Sequence, residues 1–360
     1  MSSSKPTFHQ LAVREVRRET EDAVSVAFEV PAALADAFAF LPGQYLTLRT
    51  RIDGHDVRRS YSICSGADDG ELRIAVKRVD NGLFSSWMNG EVASGDLIDV
   101  MTPTGRFGPR VSRDGRVHVG LVAGSGITPV LSIVRSVLKR EPASRFFLFY
   151  GNRSSRDVLF REELAELKDR FVERLSVMHI LSREEQDLGI LYGRLDGDKV
   201  RRLLTAMVPA ASVDELYVCG PAGMIAAVEP VLAELGIPED RIHIERFVSA
   251  NDGTPRRAVV PVPQDAPAKY VAALIVDGKR RDVPIAEGES VLDAALRAGM
   301  DLPFACKGGM CATCRAKVIE GSAEMTVNYS LERWEKDAGF VLTCQAHPTS
   351  PRLVVDYDAV

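Results

Sequence analysis

The sequence has no apolar run near the roughly 20 residues a helix needs to cross a bilayer, so a helical membrane protein is excluded. An excess of one charge is also missing. Lysine and arginine number 45 against 50 acidic residues, for a net charge of −5, and the basic positions are scattered. That pattern supplies no basic stripe for nucleic acid and no membrane-adhering face. The expected partners are small molecules and another protein. Histidines are few, and His9, His55, His118, His179, His243 and His347 stand apart, so no zinc or hydrolase constellation forms locally. Cysteine is sparse, six in 360 residues, with no secretory leader. This argues against a disulfide framework and for a reducing, cytoplasmic location. No internal repeat is present.

Four of the six cysteines stand close to the C-terminus. Cys306, Cys311, Cys314 and Cys344 follow the C-x4-C-x2-C…C spacing by which a [2Fe–2S] cluster is held. Two irons need four thiolates. A loop with ligands five and three residues apart can wrap the cluster while a distant strand supplies the last sulfur. Gly308 and Gly309 let backbone N–H groups turn inward, and Ala312 and Thr313 are small enough for close approach. Zinc sites also use C-x2-C pairs, but they want a second C-x2-C or C-x-x-H pair. The chain has none.

Length allows two or three domains, and the pattern gives three. Residues 1–112 read as short strands with Gly, Asp and Pro punctuation (LAVREVRR, AVSVAFEV, GQYLTLRT, RSYSIC, ELRIAVKRV, LIDVMTP), which predicts an antiparallel β-barrel. Residues 113–248 alternate apolar strands with helices, the signature of an α/β doubly wound parallel sheet. A helix is expected from Leu159 to Asp169. Residues 249–269, rich in proline, read as a linker. Residues 270–360 form a small α+β domain around the cysteine loop, with a turn at Asp277-Gly278 and a helix from Ser290 to Ala298 ended by Gly299.

Within the barrel segment, Arg59-Ser60-Tyr61-Ser62 lies in a strand, so Arg59 and Tyr61 share a face. A guanidinium for phosphate, a ring to stack on isoalloxazine and a serine to donate near N5 suit a flavin nucleotide. Gly82-Leu83-Phe84-Ser85-Ser86 opens a helix whose free N–H groups suit a pyrophosphate, with Gly82, Ser85 and Ser86 as candidates. In isolation, R-x-Y-S reads as an edge strand with a surface arginine; the barrel pattern, the second phosphate-type turn and the electron acceptor downstream turn the reading to flavin.

In the next segment, Gly124-Ser125-Gly126-Ile127-Thr128-Pro129 follows a strand and leads into a helix, with Thr128 expected at the N-cap and Pro129 at the first helical position. Gly124, Gly126 and Thr128 are candidates for a nicotinamide nucleotide, although the G-x-G-x-x-G fingerprint is lacking here. An ordinary capped turn would read the same. Cys219-Gly220-Pro221 ends another strand, at the edge where ligands collect in such sheets. Cys219 is either a buried small residue or a sulfur beside the nicotinamide. Arg153 and Ser182-Arg183 also follow strands and could reach a 2′-phosphate, favouring NADPH with NADH possible.

Taken together, RRSYSIC, GSGITP, YGNR, YGRLDGDKV, CGP, HIERF, LPFACKGGMCATC and GFVLTCQA resemble the ferredoxin–NADP reductase superfamily fused to a C-terminal plant-type ferredoxin of β-grasp fold. Within it the runs are most similar to the reductase subunits of phenylacetyl-CoA epoxidase systems. The resemblance implies an NAD(P)H-dependent oxidoreductase with FAD, NADPH and a [2Fe–2S] cluster, serving the diiron oxygenase component of a multicomponent monooxygenase. It implies that Arg59, Tyr61, Ser62 and Ser85 hold FAD and that Thr128, Cys219, Glu245 and Phe247 bracket the nicotinamide. By the same analogy Cys306 and Cys311 bind the iron nearer the surface, and Cys314 and Cys344 the inner one. Reductases of steroid (3-ketosteroid 9α) hydroxylases and aromatic-ring dioxygenases share the three parts. An iron–sulfur redox sensor, the alternative of another class, would need neither a flavin barrel nor a nucleotide sheet.

Overall fold

The computed structural model describes residues 7–109, 113–247, 262–263 and 266–359. It divides into two compact units, Phe8–Val57 with Tyr61–Thr254, and a C-terminal unit over Pro255–Val360 that also takes in Arg58–Ser60.

In the larger unit, β1 (Phe8–Thr20), β2 (Ala23–Glu29), β3 (Tyr45–Ile52), β4 (His55–Ser62), β5 (Leu72–Lys77) and β6 (Leu97–Met101) form one sheet in the order β4-β3-β6-β1-β2-β5. A bridge between Ile63 and Ile74 joins the chain leaving β4 to β5, so the two sheet edges meet as in a barrel. Alternate residues point inward. Leu11, Val24, Val26, Leu46, Leu48, Ile74 and Val100 fill the interior with Phe84 and Met88 of α1 (Leu83–Gly90).

The second half of that unit is a parallel sheet of β7 (Val117–Ala123), β8 (Arg145–Asn152), β9 (Leu175–Leu181), β10 (Glu215–Pro221) and β11 (Ile242–Phe247), ordered β11-β10-β7-β8-β9. Helices α2 (Ile127–Arg140) and α3 (Arg161–Arg170) share one core with the sheet, and α4 (Gly197–Met207) and α5 (Ala222–Glu234) share another. The expected doubly wound layering is therefore present. Helix α3 starts later than Leu159 because Phe160 adopts a left-handed conformation, φ 57°, which breaks the helical path. Strand order reverses between β7 and β10, and the crevice beyond their C-terminal ends is where such sheets bind ligands.

Barrel and sheet are joined by a polar seam. Ala67 N–H donates to Ser136 Oγ at 3.0 Å, Arg135 Nε to Asp69 at 2.6 Å and Arg140 Nη2 to Asp68 at 2.8 Å. Arg140 and Asp68 form an exposed pair worth at most about 1 kcal/mol, and the other two contacts are only partly buried, so the seam orients the two layers more than it stabilises them.

In the C-terminal unit, β12 (Ala268–Val276) and β13 (Lys279–Ala286) form a hairpin whose turn residues Asp277 and Gly278 both have positive φ, 53° and 68°, as a two-residue hairpin turn requires. Helix α6 (Val291–Arg297) follows, capped by Ser290, which accepts from Asp293 N. The remaining elements are β14 (Arg315–Glu320), β15 (Ala323–Met325), α7 (Arg333–Asp337), β16 (Phe340–Leu342), β17 (Ala346–Pro348) and β18 (Arg352–Asp356). The five-stranded sheet runs β13-β12-β18-β14-β16, with β12 and β18 parallel. The linker expected over 249–269 lies mostly outside the described residues, as does the expected barrel boundary at 112, and β12 begins at Ala268, inside the linker's last positions. Among the described residues no helix is long and apolar enough to cross a membrane.

Candidate functional site

Strand β4 carries the flavin candidates. Arg59 is exposed, its guanidinium donating to its neighbour's carbonyl, Arg58 O, at 2.7 Å. Ser60 and Tyr61 are half-buried, and the Tyr61 ring lies 5.8 Å from Phe84 at 36°. Gly82 is the N-cap of α1. A Cβ on Gly82 would lie 2.5 Å from Ser85 Oγ and 2.9 Å from Val79 O, so the turn admits only glycine. Ser85 is buried, and its hydroxyl accepts from Val79 N and donates to Gly82 O, both at 3.1 Å. That hydroxyl is occupied in shaping the turn, which leaves the amides of the first helical turn, beside exposed Ser86, as the donors for phosphate. A cavity of about 430 Å³ opens next to them, lined by Arg51, Asp53, Asn81, Gly82, Ser86 and Trp87. Arg51, Asp53 and Trp87 escaped the sequence reading because a hairpin and a helix flank meet there only in three dimensions.

The end of β4 meets the parallel sheet. Buried Ser62 donates from Oγ to Glu245 Oε2 at 3.3 Å across 183 residues of sequence, and Glu245 pairs in register with Cys219. Three of the four predicted catalytic residues therefore converge, with Tyr61 adjacent in sequence. Burial of the carboxyl pushes Glu245 up to about 7, opposed by the Ser62 hydrogen bond. Burial also raises the Cys219 thiol, helped by the charge of Glu245. Burial thus favours the protonated thiol at Cys219 over the nucleophilic thiolate.

Glu245 gives a pH prediction. Its folded pKa is raised above its unfolded value, so the associated stability is full below about pH 4.5 and is lost as pH rises through about 7. The loss is at most about 3 kcal/mol. Denaturant midpoints of the flavin-free protein between pH 5 and 8 should fall accordingly, and Glu245→Gln should flatten that slope. An equal slope in the variant would mean another group titrates.

Gly124, Ser125 and Gly126 form a 3-10 turn after β7, and α2 begins at Ile127 with Gly126 as N-cap. Thr128 is therefore not the cap. The short turn starts the helix early, so Thr128 and Pro129 lie within its first turn, and Thr128 Oγ1 donates to Ser125 O at 2.9 Å. Gly126 backs directly on β10, where a Cβ would lie 2.2 Å from Cys219 O. Gly220 is buried, Pro221 ends β10, and Phe247 ends β11 opposite Pro221. Farther along the same sheet edge, Ser182 N donates to Asn152 O at 2.9 Å and Arg183 N to Arg153 O at 2.8 Å. This sets two exposed arginines side by side. Tyr192, missed in the sequence, bridges to Leu181 and is 46% exposed. Its aromatic face beside Ser182 was a signal only once the loop's return was known.

The cysteine loop curls through positive φ at Lys307 (49°), Gly309 (74°) and Ala312 (52°). It is pinned by Lys307 Nζ to Asp293 at 2.8 Å and by Gln345 Nε2 donating to Lys307 O at 2.8 Å. Gly308 N–H points at Cys306 Sγ, 3.3 Å away. The thiols stand as two hydrogen-bonded pairs, Cys306 with Cys311 and Cys314 with Cys344. The bond from Cys311 lowers Cys306 to about 6, and the bond from Cys314 lowers Cys344. The first pair is half-buried and the second buried. In each pair one thiol is eased toward ionisation while its partner, Cys311 or Cys314, is pushed the other way by sharing that bond and by burial. Two such pairs, one outer and one inner, with an amide turned toward Cys306, fit a two-iron cluster. Among the described residues no three metal-binding side chains converge on a single ion.

A flavin barrel, a nucleotide sheet and a cluster loop on one chain define a pyridine-nucleotide-dependent flavin and iron–sulfur reductase. The chain matches the oxidoreductase FAD-binding domain over residues 10–108, the oxidoreductase NAD-binding domain over 121–230 and the 2Fe-2S iron-sulfur cluster binding domain over 274–349. It is 45% identical over 356 residues to the E component of 1,2-phenylacetyl-CoA epoxidase from Escherichia coli (strain K12), covering 98% of each chain. Against the ferredoxin reductase component of 3-ketosteroid-9-alpha-monooxygenase of Rhodococcus rhodochrous, identity is 33% over 352 residues and 96% of each chain. Phthalate dioxygenase reductase superposes with a TM-score of 0.59 at 23% identity, over 97% of this chain and 98% of that one, a likeness of fold. The chain belongs to the ferredoxin–NADP reductase superfamily, among the members with a C-terminal plant-type [2Fe–2S] domain that serve as reductase components of multicomponent oxygenases. Its cofactors are FAD, NAD(P)H and a [2Fe–2S] cluster.

Proposed function

We propose that this chain is the reductase component of a phenylacetyl-CoA epoxidase, passing electrons from NADPH through FAD and the [2Fe–2S] cluster to a diiron oxygenase component. The observation that carries this reading is end-to-end identity of 45% with one such component. The flavin supplies the chemistry that accepts a pair of electrons as hydride and releases them one at a time. The chain's own residues bind and orient. Arg59 and the α1 N-terminal amides hold phosphate, Tyr61 offers its ring, and Ser62 with Glu245 fixes the polar edge of the site. Cys219 fills the space beside the nicotinamide without offering a charge. The paired thiols Cys306–Cys311 and Cys314–Cys344 would hold the cluster. No side chain has to act as nucleophile.

The decisive test combines the purified chain with the epoxidase oxygenase component, NADPH and phenylacetyl-CoA. Substrate-dependent NADPH oxidation with epoxide formation is the expected result. Turnover only with a steroid hydroxylase oxygenase would replace this reading by the steroid one, and no turnover with any one-electron acceptor would leave a redox sensor.

Preference for NADPH is assigned to Arg153, Ser182 and Arg183, with Tyr192 beside them as a surface for the adenine. A charged hydrogen bond to phosphate is worth about 1.5–3 kcal/mol. Replacing Arg183 with alanine should therefore raise KM for NADPH on the order of tenfold to a hundredfold and leave KM for NADH nearly unchanged. A parallel rise for both cofactors would place Arg183 outside the 2′-phosphate site.

A further inference from the structure

Strand β8 lies between β7 and β9, and its alternate residues Phe146, Leu148 and Tyr150 enter one apolar core. Tyr150 is fully buried, and phenylalanine would fill the same space, so packing alone does not account for its hydroxyl. That hydroxyl donates to Gly124 O at 3.0 Å and accepts from Leu159 N at 3.3 Å. Burial holds the phenol above the ordinary tyrosine range, so it stays protonated and keeps donating. Gly124 is where the turn after β7 begins. It takes a positive φ, 54°, and its carbonyl also accepts from Ile127 N–H, at the first residue of α2. A carbonyl oxygen has two lone pairs, and this one has a partner inside the turn and another on the neighbouring strand. Because β7 runs between β10 and β8, the turn is held from both sides: Gly126 backs on Cys219 O of β10, and Gly124 is tied to β8 through Tyr150. The Leu159 amide fixes the phenol in turn, from the loop just ahead of α3.

We propose that Tyr150 is a positioning residue for the pyridine nucleotide, its hydroxyl latching the Gly124 carbonyl and so setting the amides at the start of α2 that meet the nucleotide's pyrophosphate. The inference rests on entry of the nucleotide at the turn between β7 and β10. Being fully buried, Tyr150 acts through the turn and not on the nucleotide itself. Without the latch the turn has other conformations open to it, and affinity falls with the fraction that is competent to bind. The pyrophosphate and nicotinamide are common to NADPH and NADH, so the latch serves both alike, unlike Arg183.

The test is Tyr150→Phe in the full chain loaded with FAD and cluster, read by calorimetric titration with NADP⁺ and by steady-state kinetics with NADPH and with NADH. Kd for NADP⁺ and KM for both reduced nucleotides are expected to rise about fivefold, the equivalent of one ordinary hydrogen bond. The value of kcat should stay within about twofold of the parent's, the split that marks lost binding and not lost chemistry. In the parental protein, where no variant has to fold, NADP⁺ should slow hydrogen exchange at the Leu159 amide together with the amides of 125–128. Parental Kd and KM in a variant with parental FAD and iron would overturn the proposal. So would a rise confined to NADPH, a loss of kcat at unchanged KM, or protection of the turn without Leu159. Gly126→Ala tests the reading underneath. If it too binds NADP⁺ normally, the nucleotide enters elsewhere and the inference falls with the turn; if it loses NADP⁺ while Tyr150→Phe does not, only the latch is wrong.

Discussion

Cys311→Ser should abolish electron delivery to a protein acceptor while sparing most NADPH-driven reduction of a two-electron acceptor at the flavin. The reason lies in the outer pair. The bond between Cys306 and Cys311 is what brings the Cys306 thiol down to about 6, so loss of Cys311 removes one ligand and makes the other harder to ionise. A serine hydroxyl is a harder donor that resists ionisation and does not replace thiolate on iron. Tyr61, Ser62, the α1 turn and the nucleotide residues belong to a different compact unit from the cysteine loop, and substitutions without shared partners act almost independently. Iron and sulfide content, cytochrome-type reduction and quinone-type reduction are the three measurements. Equal loss of both electron-accepting activities would contradict the order flavin first, cluster second.

How much of this was legible beforehand depends on whether the signal was local. The six barrel strands, the alternation of the parallel sheet and the hairpin turn at Asp277-Gly278 each depend on residues within one or two turns of chain. Their positions in the structure differ from the expected ones by a few residues at the ends. The cysteine spacing is likewise a local code. The grouping of Ser62, Cys219 and Glu245 is not, because it requires β11 to lie against β10 in one register and the end of β4 to reach that edge. Local motifs marked Ser62 and Cys219 and resemblance marked Glu245, but nothing local could bring the three together. The helix start at α2 was misjudged for a physical reason. Thr-Pro is a strong cap signal, but the preceding Gly-Ser-Gly can itself turn, and its 3-10 geometry begins the helix one turn earlier. Ser85 shows the opposite problem: a residue suited to phosphate by type is consumed by a turn that only the folded backbone reveals.

Gly126→Ala is the substitution from which a severe, localised loss is expected. The added methyl carbon would sit 2.2 Å from Cys219 O, 2.6 Å from Cys219 C and 3.0 Å from Gly220 N. All three are backbone atoms of a strand paired on both sides, to β7 and to β11, so no rotamer change relieves the clash. Either the turn at Gly124–Gly126 lifts away from β10 or the strand bends, and both open the crevice at the switch point of the sheet. Overpacking costs about 1–3 kcal/mol and occasionally more, and the N-terminus of α2 loses its alignment with the nucleotide. The variant should bind FAD and cluster with parental absorbance, lose about 100-fold in kcat/KM for NADPH, and still accept electrons from dithionite. The dithionite arm separates a ruined nucleotide site from a ruined protein. Near-parental kcat/KM would mean that nucleotide does not enter between β7 and β10 at all, and would move the nicotinamide site elsewhere on the sheet.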